Sequence, residues 1–183
     1  MIPPELLRRY SFFAGLNHGY TTTLAKHAEE HLVDAGHCFF QEGDELSQLY
    51  FVLEGAVAIV IDVPDRGLEQ PLYGQLTGHP NTMGVTVSSI GPGEVFGWSA
   101  LVPPHTSTAS AKAATSCRVA AFDMEELRPI LERDCHFAYL MLLKVAQIVR
   151  GRLRDRRIES LAENAAQTGT DKHWPLNSYP ITQ

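Results

Sequence analysis

The stretch Phe39-Phe40-Gln41-Glu42-Gly43-Asp44, followed five residues on by Tyr50-Phe51-Val52-Leu53-Glu54-Gly55 and then by Val57, Ile59 and Ile61, decides the fold class of this chain. Gly43-Asp44 is a turn signal between two apolar runs. The run Tyr50 to Leu53 has no polar interruption, as a strand covered on both faces requires. Gly55 allows a sharp backbone turn, and the apolar residues beyond it recur with period two, which places them on one face of a half-buried strand. The local reading is a strand, a turn, a buried strand, a second turn and a third strand.

Outward from this core the same texture continues. Short β-rich runs, Cys38 to Gln41, Leu49 to Asp62, Val85 to Ile90, Ala109 to Ala114 and Arg118 to Phe122, are separated by glycine turns. That spacing predicts an antiparallel barrel or sandwich. Between Val63 and Gly84 seven glycines and prolines punctuate the chain, so this segment is expected to be a loop or a hairpin excursion. Ahead of the β region, Pro3 and Pro4 suit the first turn of a helix over Glu5 to Tyr10, and Asn17 caps a segment expected to be helical to about Leu32. Behind it, Asp123 with Glu126 has capping-box spacing, and Asp134 caps a long helix over about 134–163. Residues 1–164 are therefore expected to form one domain, and the unpatterned tail 165–183 to be disordered.

Composition narrows the function classes. The 183 residues are 44% hydrophobic and 20% charged, which suits one globular domain. A formal net charge of -6 removes the long-range attraction that nucleic-acid binders use. Cys38, Cys117 and Cys135 are odd in number and widely spaced, with no C-x-x-C pair and no secretory leader, so a cytoplasmic location is expected. The longest apolar stretch, Phe137 to Val149, is broken by Lys144 and Gln147 and is shorter than the roughly 20 residues of a membrane span.

A second stretch carries the chemistry. Ile90-Gly91-Pro92-Gly93-Glu94-Val95-Phe96-Gly97-Trp98-Ser99-Ala100-Leu101 is followed by Thr108-Ala109-Ser110-Ala111-Lys112-Ala113. A strand ends at Gly97, a very short helix opens at Trp98 or Ser99, Pro103 and Pro104 turn the chain, and a strand resumes. A helix opening behind a glycine presents free main-chain N–H groups, an arrangement that suits an anion without a basic side chain.

On these residues the chain resembles the cyclic-nucleotide-binding domain of the catabolite-activator (Crp/Fnr-like) family and of cyclic-nucleotide-gated kinases and channels. The resemblance runs from about Leu6 to Glu163. It includes Phe12-Phe13-Ala14-Gly15-Leu16, the turns at Gly43 and Gly55, and a phosphate-binding cassette beginning Phe96-Gly97. It implies a mainly β fold, an eight-stranded jelly-roll barrel with flanking helices, and a small-molecule pocket roofed by the long final helix. It also implies a glutamate for the ribose hydroxyl and an arginine for the cyclic phosphate, yet these positions hold Trp98 and Ser107. A charge-assisted hydrogen bond contributes roughly 1.5–3 kcal/mol, so losing two lowers affinity on the order of a hundredfold to ten-thousandfold. The candidate ligand residues are then Phe96, Gly97, Trp98, Ser99, Ala100, Leu101, Ser107, Thr108 and Ser110, with Arg152 as a substitute positive charge.

Plainer readings stand beside these. Trp98 either stacks on a planar ligand or fills space under a helix. The hydroxyls of Thr106, Ser107, Thr108 and Ser110 suit a polar ligand and equally suit turns and strand edges. His27 and His31, four apart on the expected helix, form a two-ligand metal face with no third ligand at a recognisable spacing, and no constellation of nucleophile, acid and base stands out. The final helix carries two apolar stripes, Met141, Val145 and Ile148 beside Leu142, Ala146, Val149 and Leu153, and the second favours a homodimer. Arg150, Arg152, Arg154, Arg156 and Arg157 form a basic patch near its end. The expectation is a stand-alone regulatory, ligand-sensing module with altered or lost cyclic nucleotide affinity, without enzymatic activity, cofactor, metal or DNA-reading domain. The alternatives are a barrel acting as a protein-interaction scaffold without ligand, and a metal-dependent barrel enzyme.

Overall fold

The structure is a computed structural model that describes residues 2–64 and 82–168. Two short helices, α1 (Pro4–Leu7) and α2 (His18–Lys26), flank a 3-10 turn at Ser11–Phe13. The strands are β1 (Ala28–Val33), β2 (Cys38–Phe40), β3 (Gln48–Glu54), β4 (Val57–Pro64), β5 (Thr82–Ile90), β6 (Val95–Phe96), β7 (Ser110–Ala113) and β8 (Cys117–Asp123). Helices α3 (Met124–Arg133) and α4 (Cys135–Thr168) follow the last strand.

Among the described residues the strands form two four-stranded antiparallel sheets, ordered β1-β8-β3-β6 and β2-β7-β4-β5, a jelly-roll arrangement. Strand β3 lies between β8 and β6, and its Leu49, Phe51, Val52 and Leu53 are all buried, as the uninterrupted apolar run requires. Val52, Val57, Ile90, Phe96, Ala111, Ala113, Cys117 and Val119 fill the core, with Phe39, Phe40, Tyr50 and Ile59 packed against it. Each fully buried large side chain contributes about 1.5–3 kcal/mol. The turn at Gly55 has φ 87°, and a Cβ there would run into the Ser116 carbonyl and lie 2.8 Å from Cys117 Sγ, so only glycine fits. In the lead-in, the Phe13 ring lies 4.9 Å from Phe51 and 6.0 Å from Phe122, docking the first helices on β3 and β8.

Several expectations change, beginning with α1, which ends at Leu7, short of the expected Tyr10. The segment after Asn17 is helical only to Lys26, although Asn17 caps it as expected by accepting from Tyr20 N–H at 2.8 Å. Residues 28–33 form β1 and pair with β8 from Ala28↔Phe122 to Val33↔Cys117. Local helix preference amounts to at most about 0.7 kcal/mol per ordinary residue, and a full antiparallel ladder outweighs it. Arg118 on β8 adds side-chain ties to both neighbours, reaching Glu30 at 3.4 Å and Glu54 at 2.7 Å. The expected loop 63–84 is narrower, because β4 continues through Pro64 and β5 starts at Thr82, with Val63↔Met83 and Pro64↔Thr82 paired. Its centre, 65–81, lies outside the described residues.

The N-caps follow the sequence, although no capping box closes, because the Glu126 carboxylate pairs with His27 and the Asp123 N–H donates to the His27 carbonyl. Asp123 Oδ1 accepts from the N–H groups of Glu125 (2.8 Å) and Glu126 (3.2 Å), and Asp134 Oδ1 accepts from Phe137 N–H at 3.0 Å. Helix α4 runs to Thr168, past the expected end near 163, so 165–168 are helical, while 169–183 lie outside the described residues. The chain divides into two compact units, Met1–Val145 and Ala146–Gln183. Every described strand belongs to the first. No described helix is long and apolar enough to cross a membrane.

Candidate ligand site

Strand β6 ends at Phe96, which is fully buried with its ring stacked on Tyr50 at 4.9 Å and set edge-on to Phe39 at 5.0 Å. Gly97 follows with φ 73°, and a Cβ on it would lie 3.1 Å from both the Gln48 carbonyl oxygen and the Tyr50 ring. Packing on β3 therefore fixes where the next turn starts. Trp98–Ala100 is a 3-10 turn: Ala100 N–H donates to Gly97 O (3.1 Å), Leu101 N–H to Trp98 O (2.9 Å) and Val102 N–H to Ser99 O (3.2 Å). The Ala100 amide, placed by its sequence position in an anion cradle, is thus committed within the turn. Trp98, Ser99 and Leu101 are half-buried, and Ala100 is buried.

The chain leaves this turn through Pro103 and Pro104 to His105, which has φ 65°. His105 donates its N–H to Val102 O and accepts from Leu46 N–H at 2.8 Å, and its ring Nδ1 lies 3.2 Å from Ser99 O. A carbonyl oxygen only accepts, so Nδ1 carries the hydrogen there.

Ser107, at the position of the expected arginine, is 5% exposed, and its hydroxyl donates to the Gln41 carbonyl at 2.5 Å. Its main chain pairs with the same turn, N–H to Asp44 O at 2.8 Å and O from Gly43 N–H at 3.0 Å. The Ser110 hydroxyl accepts from Glu42 N–H at 3.0 Å. Two of the candidate ligand hydroxyls therefore clamp the Gln41–Asp44 turn, whereas Thr106 and Thr108 are exposed. Sequence reading could not separate these roles, since a hydroxyl serves a carbonyl and a ligand equally well.

Beside Gly97 a cavity of about 340 Å³ is lined by Phe39, Phe40, Asp44, Glu45, Gln48 and Tyr50, with no lysine or arginine. Tyr50 donates to Gln48 Oε1 at 2.7 Å, and burial raises its phenol pKa, keeping it neutral. The Asp44 carboxylate is committed to its own turn, Oδ2 accepting from Gln41 N–H at 2.8 Å, and none of the candidate ligand residues lines this cavity. Arg152 lies on the distal part of α4, in the second unit, and is half-buried. The two histidines do not share a helix face: His27 caps the end of α2 with Nδ1 2.6 Å from Glu126 Oε2, and His31 lies in β1. Among the described residues no three His, Cys, Asp or Glu side chains gather as a metal site.

Two antiparallel sheets with flanking helices and a Phe-Gly turn opening a 3-10 helix define the architecture as a jelly roll. Residues 30–134 match the family described as "Cyclic nucleotide-binding domain", and the chain belongs to that family. The CRP-like cAMP-activated global transcriptional regulator of Mycobacterium tuberculosis is 27% identical over 124 residues, covering 68% of this chain and 48% of the regulator. The chain thus spans about half the length of that relative. A Geobacter metallireducens protein assigned to cyclic nucleotide binding matches with a TM-score of 0.67 at 29% identity, covering 84% of this chain and 99% of that one. The N-terminal domain of a Streptomyces coelicolor transcriptional regulator gives a TM-score of 0.59 at 26% identity, covering 82% and 94%.

Proposed function

We propose that this chain is a regulatory, non-enzymatic ligand-sensing module of the cyclic nucleotide-binding family whose affinity for cyclic AMP is altered or lost. The observation that carries this reading is Ser107: it stands where the family's phosphate-binding arginine is expected, and its hydroxyl is buried on the Gln41 carbonyl. Trp98 in the glutamate position supports it. The three free cysteines and the kinship with a transcriptional regulator fit a cytoplasmic sensor.

Titration calorimetry tests the reading. The native protein should give no saturable heat with micromolar cyclic AMP, and Trp98→Glu combined with Ser107→Arg should bind measurably, because arginine supplies a bidentate phosphate contact and glutamate an acceptor for the ribose hydroxyl. Submicromolar binding by the native protein overturns it. A folded double variant silent at millimolar cyclic AMP would favour the interaction-scaffold reading.

A second element of the proposal is self-association. Met141 and Val145 on α4 are buried, whereas Leu142, Val149 and Leu153 are 49%, 42% and 51% exposed. That exposed stripe, one residue off the buried one, suits the matching stripe of a second copy.

A further inference from the structure

A second cavity, of about 240 Å³, shares no lining residue with the ring-lined one. Leu101, Pro103 and His105 reach it from the Phe-Gly turn and the segment after it, Arg128 and Leu131 from α3, and Leu142 from α4. Its walls are mostly apolar. Three lining residues are ionisable, His105, Glu132 and Arg128, and the Arg128 guanidinium is poorly satisfied: Nη2 has one long contact, 3.4 Å, to the neutral Ala100 carbonyl, and the buried Nε has no acceptor among the described residues. Glu132, one turn along α3, lines the same cavity but forms no ion pair with it.

A guanidinium keeps its charge at any ordinary pH, and its fork of donors matches a carboxylate edge-on. A buried donor of this kind calls for an acceptor, and the charged one is the stronger partner. The surrounding leucines and Pro103 exclude a fully polar anion, because covering them with a hydrated group gains nothing. We propose that this cavity is a second small-molecule site, separate from the cyclic nucleotide position, and that it takes a monocarboxylate with an apolar body.

The site is wired to the cassette by contacts already in place. Arg128 holds the Ala100 carbonyl, His105 holds the Ser99 carbonyl, and Leu101 both caps the 3-10 turn and forms part of the cavity wall. A carboxylate drawing the guanidinium toward itself loosens its contact with Ala100, so occupancy registers in the turn itself.

Octanoate is the probe, titrated into ¹⁵N-labelled native protein with amide shifts recorded, and 1-octanol is the comparison with a similar tail and no charge. Saturable shifts centred on Ser99, Ala100 and Leu101 at millimolar octanoate are expected, with 1-octanol weaker by about tenfold or more. Arg128→Gln should weaken octanoate by a similar factor. Ala138→Trp, which crowds the cavity from the first turn of α4, outside the exposed stripe, and leaves Arg128 in place, should block it, and the same spectra report whether each variant is folded. Equal binding of octanoate and 1-octanol overturns the proposal, as do shifts confined to other surfaces, an unchanged affinity in folded Arg128→Gln or Ala138→Trp, or no saturation at millimolar octanoate.

Discussion

The Ser107 hydroxyl donates to the Gln41 main-chain carbonyl at 2.5 Å, fastening the approach to β7 onto the turn after β2. Ser107→Ala removes this part-buried hydrogen bond, leaving the Gln41 carbonyl with the Asp44 N–H at 3.1 Å alone, and should cost about 1 kcal/mol of unfolding free energy. Thr108→Ala, on an exposed neighbour, should stay within about 0.5 kcal/mol. Urea denaturation of the two variants checks the contrast. Equal effects would mean that the hydroxyl clamp contributes nothing.

The turn glycines should differ sharply. At Gly43, with φ 91° and nothing within 4 Å of an added Cβ, alanine meets backbone strain alone, roughly 1–2 kcal/mol. At Gly55 the added methyl also collides with the Ser116 carbonyl and Cys117, so Gly55→Ala should cost roughly 3–5 kcal/mol or fail to fold. Thermal melts of both variants measure the gap.

Asp134 ends α3 and caps α4. The Phe137 N–H bond is the main reason its carboxyl titrates below the ordinary 3.8, with the Tyr20 hydroxyl at 3.3 Å acting in the same direction. Because the folded value is lowered, the charged form stabilises the fold above the unfolded value, and this contribution is lost as pH falls through the folded one. Asp134→Asn keeps an accepting oxygen for the cap but has no charge to titrate. Its deficit against native protein should therefore shrink from pH 7 to pH 3 in paired urea titrations, and a constant deficit would assign the effect to cap geometry.

Val149→Glu or Leu153→Glu should convert a dimer to monomer while the barrel stays folded. An unpaired carboxylate buried in a helix seam costs several kcal/mol, enough to dissociate a modest interface. Light scattering at tens of micromolar reads the mass, and circular dichroism the fold. Native protein that is already monomeric removes the seam.

The sequence by itself determined what neighbouring residues settle among themselves. The glycine turns at 43 and 55 and the caps Asn17, Asp123 and Asp134 rest on steric freedom and hydrogen bonds spanning two to four residues, and all appear in the structure, whereas the alternation expected at Val57, Ile59 and Ile61 does not show in burial, residues 58 to 61 all being half-buried. Tertiary structure alone decided the rest. Residues 28–33 carry no strong alternation and became a strand because β8, far along the chain, offered a ladder. The Ser107 and Ser110 hydroxyls became clamps because the turn after β2 lies against them, and the Ala100 amide was consumed by the 3-10 turn that Gly97 starts. A side chain's chemistry is local, but which partner claims it depends on which segments the fold brings within about 3 Å, and no nearby residue encodes that.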